Sequence, residues 1–378
     1  MALTVTEQAI PAAEYGTRLE RLRGAMSQQE WEAVYIASPP NLRYLAGVAI
    51  TPHERLAALV VPSDTDPFLV VPALEAESAG DNPAGMTVVS WKDEEGPFGV
   101  LRTTLDQAKV KSFALEKEAV NVTTFEALQT MLDVGSFPDA SPVVAELRMV
   151  KTRAEVAAIE EAAAVLDACL AELPERLRPG RSEAEIAFEL DGLVRRHGGE
   201  GNAFETIVLS GPNAALPHGR PGDRELREGD LVIVDFGTLH DGYCADVTRT
   251  FAVGEPGEEA GEIFELVQRA QAAGCDAVRA GALCSEVDAV ARGVIEDGGR
   301  GEHFVHRTGH GLGLDVHEPP SLVAGNDRPL QVGNVVTVEP GVYVPGAVGV
   351  RIEDDVVVTD RGGKLLTNAR RELVVSST

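Results

Sequence analysis

Two apolar segments in the C-terminal half of the chain each end in an acidic residue. Asp235 follows the segment 231–234, LVIV, and Glu339 follows the segment 335–338, VVTV. A carboxylate left alone among apolar side chains is costly, so it must be neutralised, paired with a cation or bound to a metal ion. These two acids are therefore candidates for chemistry.

The two segments belong to an internal repeat. LREGDLVIVDFG, which begins at Leu226, matches LQVGNVVTVEPG, which begins at Leu330, and the shared leucine, glycines and acid are all displaced by 104 positions. Upstream of the first copy, Ser182 and Glu185 form a capping pair that predicts a helix start, and another helix is predicted near Ser285. Helices followed by a hairpin, twice over, predict a pseudo-two-fold α+β domain.

The predicted hairpins bring a second carboxylate to each acid, because residues that face each other across an antiparallel pair have a constant sum of residue numbers. A turn centred between residues 240 and 241 makes Asp235 face Asp246. A turn centred on Gly346 makes Glu339 face Glu353. Facing Cβ atoms lie about 5 Å apart, and like charges that close require a cation. Two such pairs predict two bound cations.

Other residues share these strand faces, because alternate residues of a strand point to the same side. Thr248 joins Asp246, and Arg351 joins Glu353, where its guanidinium could bind a ligand carboxylate or balance the charge. His310, flanked by glycines in TGHGLG, adds an imidazole. One imidazole with four carboxylates suits manganese or cobalt, with zinc possible. The glycine run is not a phosphate loop, because no Lys-Ser or Lys-Thr follows it.

The composition is that of a globular protein long enough for two domains. Lys and Arg number 33 against 60 Asp and Glu, a net charge of −27, which disfavours nucleic acids and anionic membranes as partners. A secretory leader and an apolar run of about 20 residues are both lacking, so a cytoplasmic location is expected. The cysteines are scattered, which predicts reduced thiols at Cys169, Cys244, Cys275 and Cys284.

The first part of the chain alternates short helices with apolar strands, predicted at 33–36, 56–61, 68–71 and 112–115. This pattern predicts a small α/β domain over residues 1–145. A long amphipathic helix over 153–173 then opens a second domain, predicted over 146–378.

The acidic and histidine motifs resemble those of the metallopeptidase family that comprises prolidases, aminopeptidase P and methionine aminopeptidase. In chain order they are VDFG with Asp235, DVTRT with Asp246, GHG with His310, VEPG with Glu339 and RIED with Glu353. The resemblance implies a pita-bread catalytic domain, preceded by a creatinase/prolidase-type N-terminal domain that SPPNLRYLAGV and PHERLAALVV indicate. It also implies that these five residues bind two divalent metal ions, with manganese expected. Asp246 and Glu353 would bridge the two, while His310 and Glu339 complete the second site.

The resemblance further implies roles in hydrolysis of the bond before proline by a metal-bridging water. Glu339 is the expected proton shuttle. LPHG brings His218, VHE brings His317 and RIED brings Arg351 to positions that line the substrate site in relatives. His317 would help the oxyanion and His218 the leaving nitrogen, unless the two histidines only support the metal ligands. The remaining histidines are expected to be structural or exposed: His53, His197, His240, His303 and His306.

An Xaa-Pro dipeptidase is the predicted activity, and an Xaa-Pro aminopeptidase acting on longer peptides fits the same motifs. Restriction to dipeptides requires capture of the proline carboxylate, by Arg328, Arg351 or a loop of the first domain. A binding protein without turnover is disfavoured because all five ligands are present, and a phosphohydrolase because of the negative charge. Relatives are commonly homodimers whose N-terminal domains close the partner's site, so Tyr44, His53 and Arg55 are expected to reach across.

Overall fold

The computed structural model describes residues 10–50 and 53–376. The chain forms two units, one over Ile10–Arg148 and one that starts at Met149. The domain boundary predicted between residues 145 and 146 lies inside the helix Ser141–Met149 and stays a prediction. No helix among the described residues is long and apolar enough to span a membrane.

The first unit is an α/β domain built on one five-stranded sheet. Its strands are β1 (Ala33–Ile36), β2 (Ala58–Pro62), β3 (Phe68–Pro72), β4 (Thr87–Trp91) and β5 (Ala114–Leu115), in the order β4-β3-β2-β1-β5. Its helices are α1 (Ala12–Gln28), α2 (Pro39–Ala46), α3 (Ala76–Gly80), α4 (Pro97–Gln107), α5 (Val122–Leu132) and α6 (Ser141–Met149). Strands β1 to β3 are buried throughout, which accounts for their unbroken apolar sequences. Strand β4 has no predicted counterpart, because its part-exposed sequence TVVSW gives a weaker apolar signal.

Tyr44 belongs to the core of this first unit. Its side chain is 1% exposed, and its hydroxyl donates to the Leu147 carbonyl at 2.9 Å. The expectation that Tyr44 reaches a partner subunit is therefore wrong, because the residue is enclosed by its own unit. His53 is exposed, and Arg55 is bonded to Asp93 at 2.9 Å on the surface of the unit.

The second unit contains four helices and eleven strands within its described part. The helices are α7 (Arg153–Glu172), α8 (Glu183–Arg196), α9 (Glu258–Ala277) and α10 (Cys284–Asp297). The strands are β6 (Ile207–Ser210), β7 (Leu231–His240), β8 (Tyr243–Val253), β9 (Gly309–Gly311), β10 (Glu318–Leu322), β11 (Val335–Val338), β12 (Gly341–Val344), β13 (Val348–Arg351), β14 (Asp354–Thr359), β15 (Gly362–Leu365) and β16 (Val374–Ser376).

Capping boxes begin the first helix pair. At α7, the Thr152 side chain accepts from the Glu155 N–H while the Glu155 side chain accepts from the Thr152 N–H. Ser182 and Glu185 do the same at α8, as predicted. Each copy of the repeat is a helix pair followed by strands, which lie in the sheets β16-β8-β7-β6 and β10-β9-β11-β14-β15. The predicted α+β pita-bread architecture, preceded by a smaller α/β domain, is confirmed.

The hairpin of the first copy turns later than predicted. Strands β7 and β8 are joined by Asp241 and Gly242 alone, both with positive φ, 46° and 73°. An Asp-Gly pair in this conformation is a favoured two-residue hairpin turn, because its twist matches that of the strands. The turn pairs His240 with Tyr243, so its centre falls between residues 241 and 242.

This later centre changes the partners of the two acids. Asp235 lies opposite Thr248, and Asp246 lies opposite Gly237. The prediction that Asp235 faces Asp246 directly is therefore wrong. The two aspartates are instead diagonal neighbours on one face of the ribbon, at a typical separation of about 7 Å.

The second copy keeps the predicted register but interrupts its strands. Strand β11 pairs with β14, and β12 pairs with β13. Partner numbers sum to 692 in both ladders, as they do for Gly341 and Arg351. Glu339 and Glu353 have the same sum and occupy matching positions between the two ladders, as predicted.

Candidate metal centre and active-site cavity

The predicted site residues meet at one cavity of about 700 Å³ in the second unit. All eight of them are in its lining: His218, Asp235, Asp246, His310, His317, Glu339, Arg351 and Glu353. The cavity also exposes residues that the sequence analysis did not assign to a site, among them Phe204, His306 and Arg307.

The aspartates of the first copy are buried, with 8% of Asp235 and 4% of Asp246 exposed. The Oδ1 atom of each is buried without a hydrogen-bond partner. A buried carboxylate oxygen without a partner destabilises the protein by its full desolvation free energy, unless a hydrogen-bond donor or a cation lies beside it. Burial is also the main cause that raises the pKa of Asp246 well above its usual value, followed by the charges of Glu353 and Asp235.

The glutamate Glu353 joins the two copies of the repeat. Its Oε2 accepts a hydrogen bond from the Thr248 hydroxyl at 2.6 Å, and its N–H donates to the Thr248 carbonyl at 3.0 Å. Thr248 is the residue opposite Asp235, so the two ladders hold each other in register at the carboxylates. Burial, followed by the charges of Glu339 and Asp235, raises the pKa of Glu353 well above its usual value.

His310 is brought into the cluster by the glycines on both sides of it. A Cβ atom on Gly309 would lie 1.9 Å from the Thr337 carbonyl oxygen, and one on Gly311 would lie 2.3 Å from that of Pro319. Only glycine allows the neighbouring strands to approach this closely. The motif GHG therefore has a packing reason as well as a chemical one.

The imidazole of His310 is oriented by its backbone. Nδ1 lies 3.0 Å from the Gly311 carbonyl, to which only a protonated Nδ1 can donate, so Nε2 is left as the ligand atom. Nε2 points to Glu339 Oε1 at 3.2 Å and to Asp246 Oδ2 at 4.0 Å. This arrangement is typical of a metal-binding histidine fixed by a carbonyl acceptor.

These residues fit a divalent cation. One ligand atom from each of Asp246, His310 and Glu353 lies within 4.8 Å of the others. Buried carboxylates with raised pKa values, unpartnered oxygens and an oriented imidazole supply both the charge and the donor atoms that such an ion requires.

Arg351 neutralises the other side of the cluster. Its Nη2 donates to Asp235 Oδ2 at 2.5 Å, Nη1 to the Tyr343 hydroxyl at 2.7 Å and Nε to the Thr248 hydroxyl at 3.2 Å. The side chain is 4% exposed. With its donors satisfied inside the protein, Arg351 is better suited to balancing charge than to binding a ligand carboxylate.

The two other predicted histidines lie at the open side of the cavity. The His317 ring stands edge-on to the His310 ring, with the centroids 4.3 Å apart. Burial, with the charges of His310 and Arg307, lowers the pKa of His317 to about 4, so this imidazole is neutral at neutral pH. His218 is exposed on the segment that follows the short 3-10 helix Gly211–Ala215.

His306 was expected to be structural or exposed, but it lies in the cavity wall. Its Nδ1 is 2.7 Å from the Arg307 carbonyl, and its Nε2 is 2.9 Å from the Tyr343 hydroxyl. A carbonyl can only accept, so Nδ1 carries the proton and Nε2 accepts from Tyr343. The available signal was the position of His306 four residues before His310, in the same glycine-rich segment.

Arg328, one of the two arginines considered for capture of a substrate carboxylate, is not in the cavity lining. Its Nη1 lies 3.7 Å from the Met149 sulfur instead. Arg307 is in the lining, and it immediately precedes TGHG in the sequence.

Known proteins share this architecture over nearly the whole chain. The family model described as metallopeptidase family M24 matches residues 157–360, and that of the creatinase/prolidase N-terminal domain matches residues 18–150. The solved structure of dipeptidase PepE from Mycobacterium ulcerans is 40% identical, with a TM-score of 0.89, over 97% of this chain and 99% of that one. An Xaa-Pro dipeptidase from Bacillus anthracis is 33% identical, with a TM-score of 0.90, over 96% and 99%. An X-Pro aminopeptidase from Thermotoga maritima is 34% identical, with a TM-score of 0.85, over 95% and 99%.

Proposed function

Because the chain belongs to metallopeptidase family M24, and is therefore a metallopeptidase, we propose that it hydrolyses Xaa-Pro dipeptides with two divalent metal ions. One observation carries the proposal. The buried acidic cluster, with its unpartnered oxygens, opens into a cavity that is also lined by His218 and His317. A cavity that joins a cluster suited to cations with imidazole side chains is suited to hydrolysis of an amide.

The proposed ligands are Asp235, Asp246, His310, Glu339 and Glu353, with Asp246 and Glu353 shared between two manganese ions. When bound, these ions would supply Lewis acidity that acidifies water and polarises the scissile carbonyl. Thr248 and Arg351 keep the carboxylates in place before any ion arrives, because each is hydrogen-bonded to one of them.

Glu339 is proposed as the proton shuttle. Its side chain is 16% exposed at the cavity, and its Oε1 accepts from the Thr337 hydroxyl at 3.2 Å. Burial raises its pKa, but the hydrogen bond and charge of a protonated His310 lower it further, to about 2; with His310 neutral and bound to metal, the ions themselves would supply the positive charge that keeps Glu339 ionised. The ionised carboxylate can take a proton from water and pass it to the proline nitrogen, which has no N–H and must be protonated to leave.

Replacement of Glu339 by Gln tests this role, because it keeps the shape of the side chain and removes the base. The expected loss in kcat is about a hundredfold or more, with two metal ions still bound. Turnover close to that of the unaltered enzyme, with both ions present, would end the assignment.

His317 is proposed to support the oxyanion and His218 the leaving nitrogen. The neutral ring of His317 keeps one N–H group. It can donate a hydrogen bond to the negative charge that develops on the scissile carbonyl oxygen. Alanine variants should lose turnover with the metal content unchanged. Loss of metal from either variant would instead favour support of the ligands.

The proposal also specifies the length of the substrate, a dipeptide rather than a longer peptide. The similar structures include both dipeptidases and an X-Pro aminopeptidase, so both activities are candidates. Release of proline from alanyl-proline, compared with release of alanine from alanyl-prolyl-alanine, separates them. The dipeptidase proposal expects metal-dependent cleavage of the dipeptide and little of the tripeptide. The reverse preference would identify an aminopeptidase, and cleavage of neither would end the proposal.

A further inference from the structure

Glu183 is a fully buried carboxylate outside the metal centre, and it is the first residue of helix α8. In the described part of the chain, none of its hydrogen-bond partners is a cation. A buried ionised carboxylate must be compensated by charge or by hydrogen bonds. The positive end of the helix macrodipole supplies part of that compensation, and hydrogen-bond donors supply the rest.

The donors to Glu183 come from two places that are separated in the sequence. Its Oε1 accepts from the N–H and from the hydroxyl of Ser210, both at 2.7 Å. The Asn213 side-chain amide lies 3.2 Å from both carboxylate oxygens, and the Gly222 N–H donates to Oε2 at 3.3 Å. One carboxylate therefore holds both ends of the segment 214–221.

This segment, which we call the His218 loop, contributes residues 217–221 to the lining of the active-site cavity. His218 is the residue of the loop that we propose to support the leaving nitrogen. Because its side chain is exposed, close packing around the ring does not fix its position. The path of the loop backbone must do so instead.

The other polar contacts of the His218 loop are weaker than the bonds at its ends. The Pro217 carbonyl accepts from Arg351 Nη1 at the long distance of 3.4 Å. Arg220 forms an exposed ion pair with Glu205, a type of contact that stabilises a protein little. The ends of the loop therefore have a large part in determining where His218 lies.

We propose that Glu183 is a positioning residue for the peptidase reaction, which closes the His218 loop so that the imidazole of His218 is presented to the cavity. The inference rests on the proposed function, because Glu183 acts through the role proposed there for His218. A glutamate that only stabilised α8 would not need donors from both ends of a cavity loop.

Replacement of Glu183 by Gln tests this role, because it keeps the shape of the side chain and turns one accepting oxygen into a donor. Whichever oxygen is replaced, the new NH2 group faces an N–H donor, that of Ser210 or that of Gly222, and releases that end of the loop. The kcat for alanyl-proline should fall about ten- to a hundredfold, the usual result of a misplaced catalytic group. The fall should not exceed that of His218→Ala, and the metal content should not change.

A double-mutant cycle separates positioning of His218 from general stabilisation. In the His218→Ala background, Glu183→Gln should cause little further loss of kcat, because the group that it positions is already absent. Asn213→Ala removes one donor and keeps the buried carboxylate, so it should give a smaller loss with the same dependence on His218, even if Glu183→Gln folds poorly. Equal fold losses with and without His218 would overturn the inference.

Glu155→Gln is the matched control. Glu155 is likewise a buried glutamate in the first turn of a helix, where it accepts from the Thr152 N–H at 2.9 Å and from the Tyr243 hydroxyl at 3.0 Å. It is not in the cavity lining, so any loss of kcat should be the same with and without His218. A dependence on His218 as large as that of Glu183→Gln would overturn the assignment.

Hydrogen exchange separates this inference from the proposed function, because it requires no turnover. The backbone amides of residues 214–222 should exchange faster in Glu183→Gln than in the unaltered protein, while those of the β7–β8 ladder keep their protection. Unchanged exchange in the loop would overturn the inference whether or not the enzyme cleaves dipeptides. Absence of cleavage by the unaltered enzyme, with faster exchange of the loop in Glu183→Gln, would end the proposed function but keep Glu183 as the residue that positions the loop.

Discussion

The two copies of the repeat supply their carboxylates in different ways. Strands β7 and β8 form one uninterrupted ladder, on which Asp235 and Asp246 are diagonal neighbours. The corresponding strands of the second copy break into two ladders, and Glu339 and Glu353 lie in the gap between them. Pro340 contributes to the break, because proline has no N–H to donate to a ladder. The acids thus lie on one continuous ladder in the first copy and between two ladders in the second.

Because the ladder of the second copy is interrupted at Glu339 and Glu353, the backbone N–H groups of these residues form hydrogen bonds outside their own hairpin. The Glu339 N–H donates to the Thr308 carbonyl at 2.8 Å, and the Glu353 N–H donates to the Thr248 carbonyl at 3.0 Å. Backbone groups that a continuous ladder would use are therefore satisfied by the strand of His310 and by the first copy. The candidate metal centre is therefore held between the two copies and belongs to neither alone.

Removing either of the two carboxylates that we propose are shared by the ions, one from each copy, should have the largest effect. Asp246→Asn and Glu353→Gln should each lower dipeptide turnover by about a thousandfold or more, since each removes a charged ligand from the centre. Metal content after dialysis against manganese should fall below two ions per chain in both variants. Loss of metal from only one of them would show that the copies do not share the centre.

Alanine substitutions at the equivalent glycines Gly237 and Gly341 should distinguish the continuous β7–β8 ladder of the first copy from the gap between the two ladders of the second. A Cβ on Gly237 would lie 2.7 Å from the Ala245 carbonyl oxygen and 2.7 Å from the Phe204 ring. A Cβ on Gly341 would meet only the Tyr343 side chain, at 2.5 Å from its hydroxyl. Backbone yields less than a side chain, so Gly237→Ala should cost about 3 kcal/mol and Gly341→Ala about 1 kcal/mol in the free energy of unfolding.

Denaturant unfolding of the metal-free proteins measures that difference in stability. Dipeptide kinetics should rank the two variants in the opposite order when the loss of turnover is compared with the loss of stability. Gly341→Ala displaces Tyr343, whose hydroxyl bonds His306 and Arg351, so it should lose more turnover per kcal/mol of destabilisation. Equal losses of stability and equal losses of turnover in the two variants would contradict the distinction between the copies.

The sequence predicted much of this site because buried acids are easy to recognise in apolar strands. The repeat located Asp235 and Glu339, and the centre on Gly346 gave the correct register for Glu339 and Glu353. The predicted register of the first hairpin is wrong because Asp241 and Gly242 form the two-residue turn, which moves its centre one residue toward the C-terminus. With that turn, the sequence alone would have placed Asp235 opposite Thr248.

Other features could not be predicted from local patterns. The closeness of His306 and Arg307 to His310 in the sequence is a weak signal, because their positions at the cavity depend on contacts with Tyr343 and Ser321 across the fold. Tyr44 was expected to reach a partner subunit because relatives are commonly dimers, whereas its burial depends on the packing of the whole first unit.

Stabilisation by metal should depend on pH, because Asp246 and Glu353, the two acids proposed to be shared, must be ionised to bind it. In the folded metal-free protein the pKa values of Asp246 and Glu353 are raised above their usual range by burial and neighbouring carboxylates. The stability that these two groups contribute to the metal-free protein is thus fully present below the usual carboxyl pKa and is lost as pH rises through the raised values. Manganese needs the ionised groups, so its benefit should increase over the same range.

Thermal unfolding with and without manganese at pH 5.0 and pH 7.5 measures this benefit. The gain in Tm should be larger at pH 7.5, and the pH dependence should shrink in Glu353→Gln, which lacks one titrating group. An equal gain at both pH values would show that protons and metal do not compete for these acids.

The smallest effects are expected at the two turns, far from the chemistry. Gly242 and Gly346 both have φ of 73°, where alanine is disfavoured. Each Gly→Ala substitution should cost about 1 kcal/mol in the free energy of unfolding and leave kcat unchanged. Denaturant unfolding and dipeptide kinetics check both variants, and a large fall in kcat for Gly242→Ala alone would indicate that the ribbon register is sensitive to its turn.

The most direct test of the central claim is a titration of manganese into metal-stripped enzyme, with release of proline from alanyl-proline and bound metal followed together. We expect no activity without metal and full activity at two ions per chain. Full activity in the stripped protein, or none with two ions bound, would contradict it.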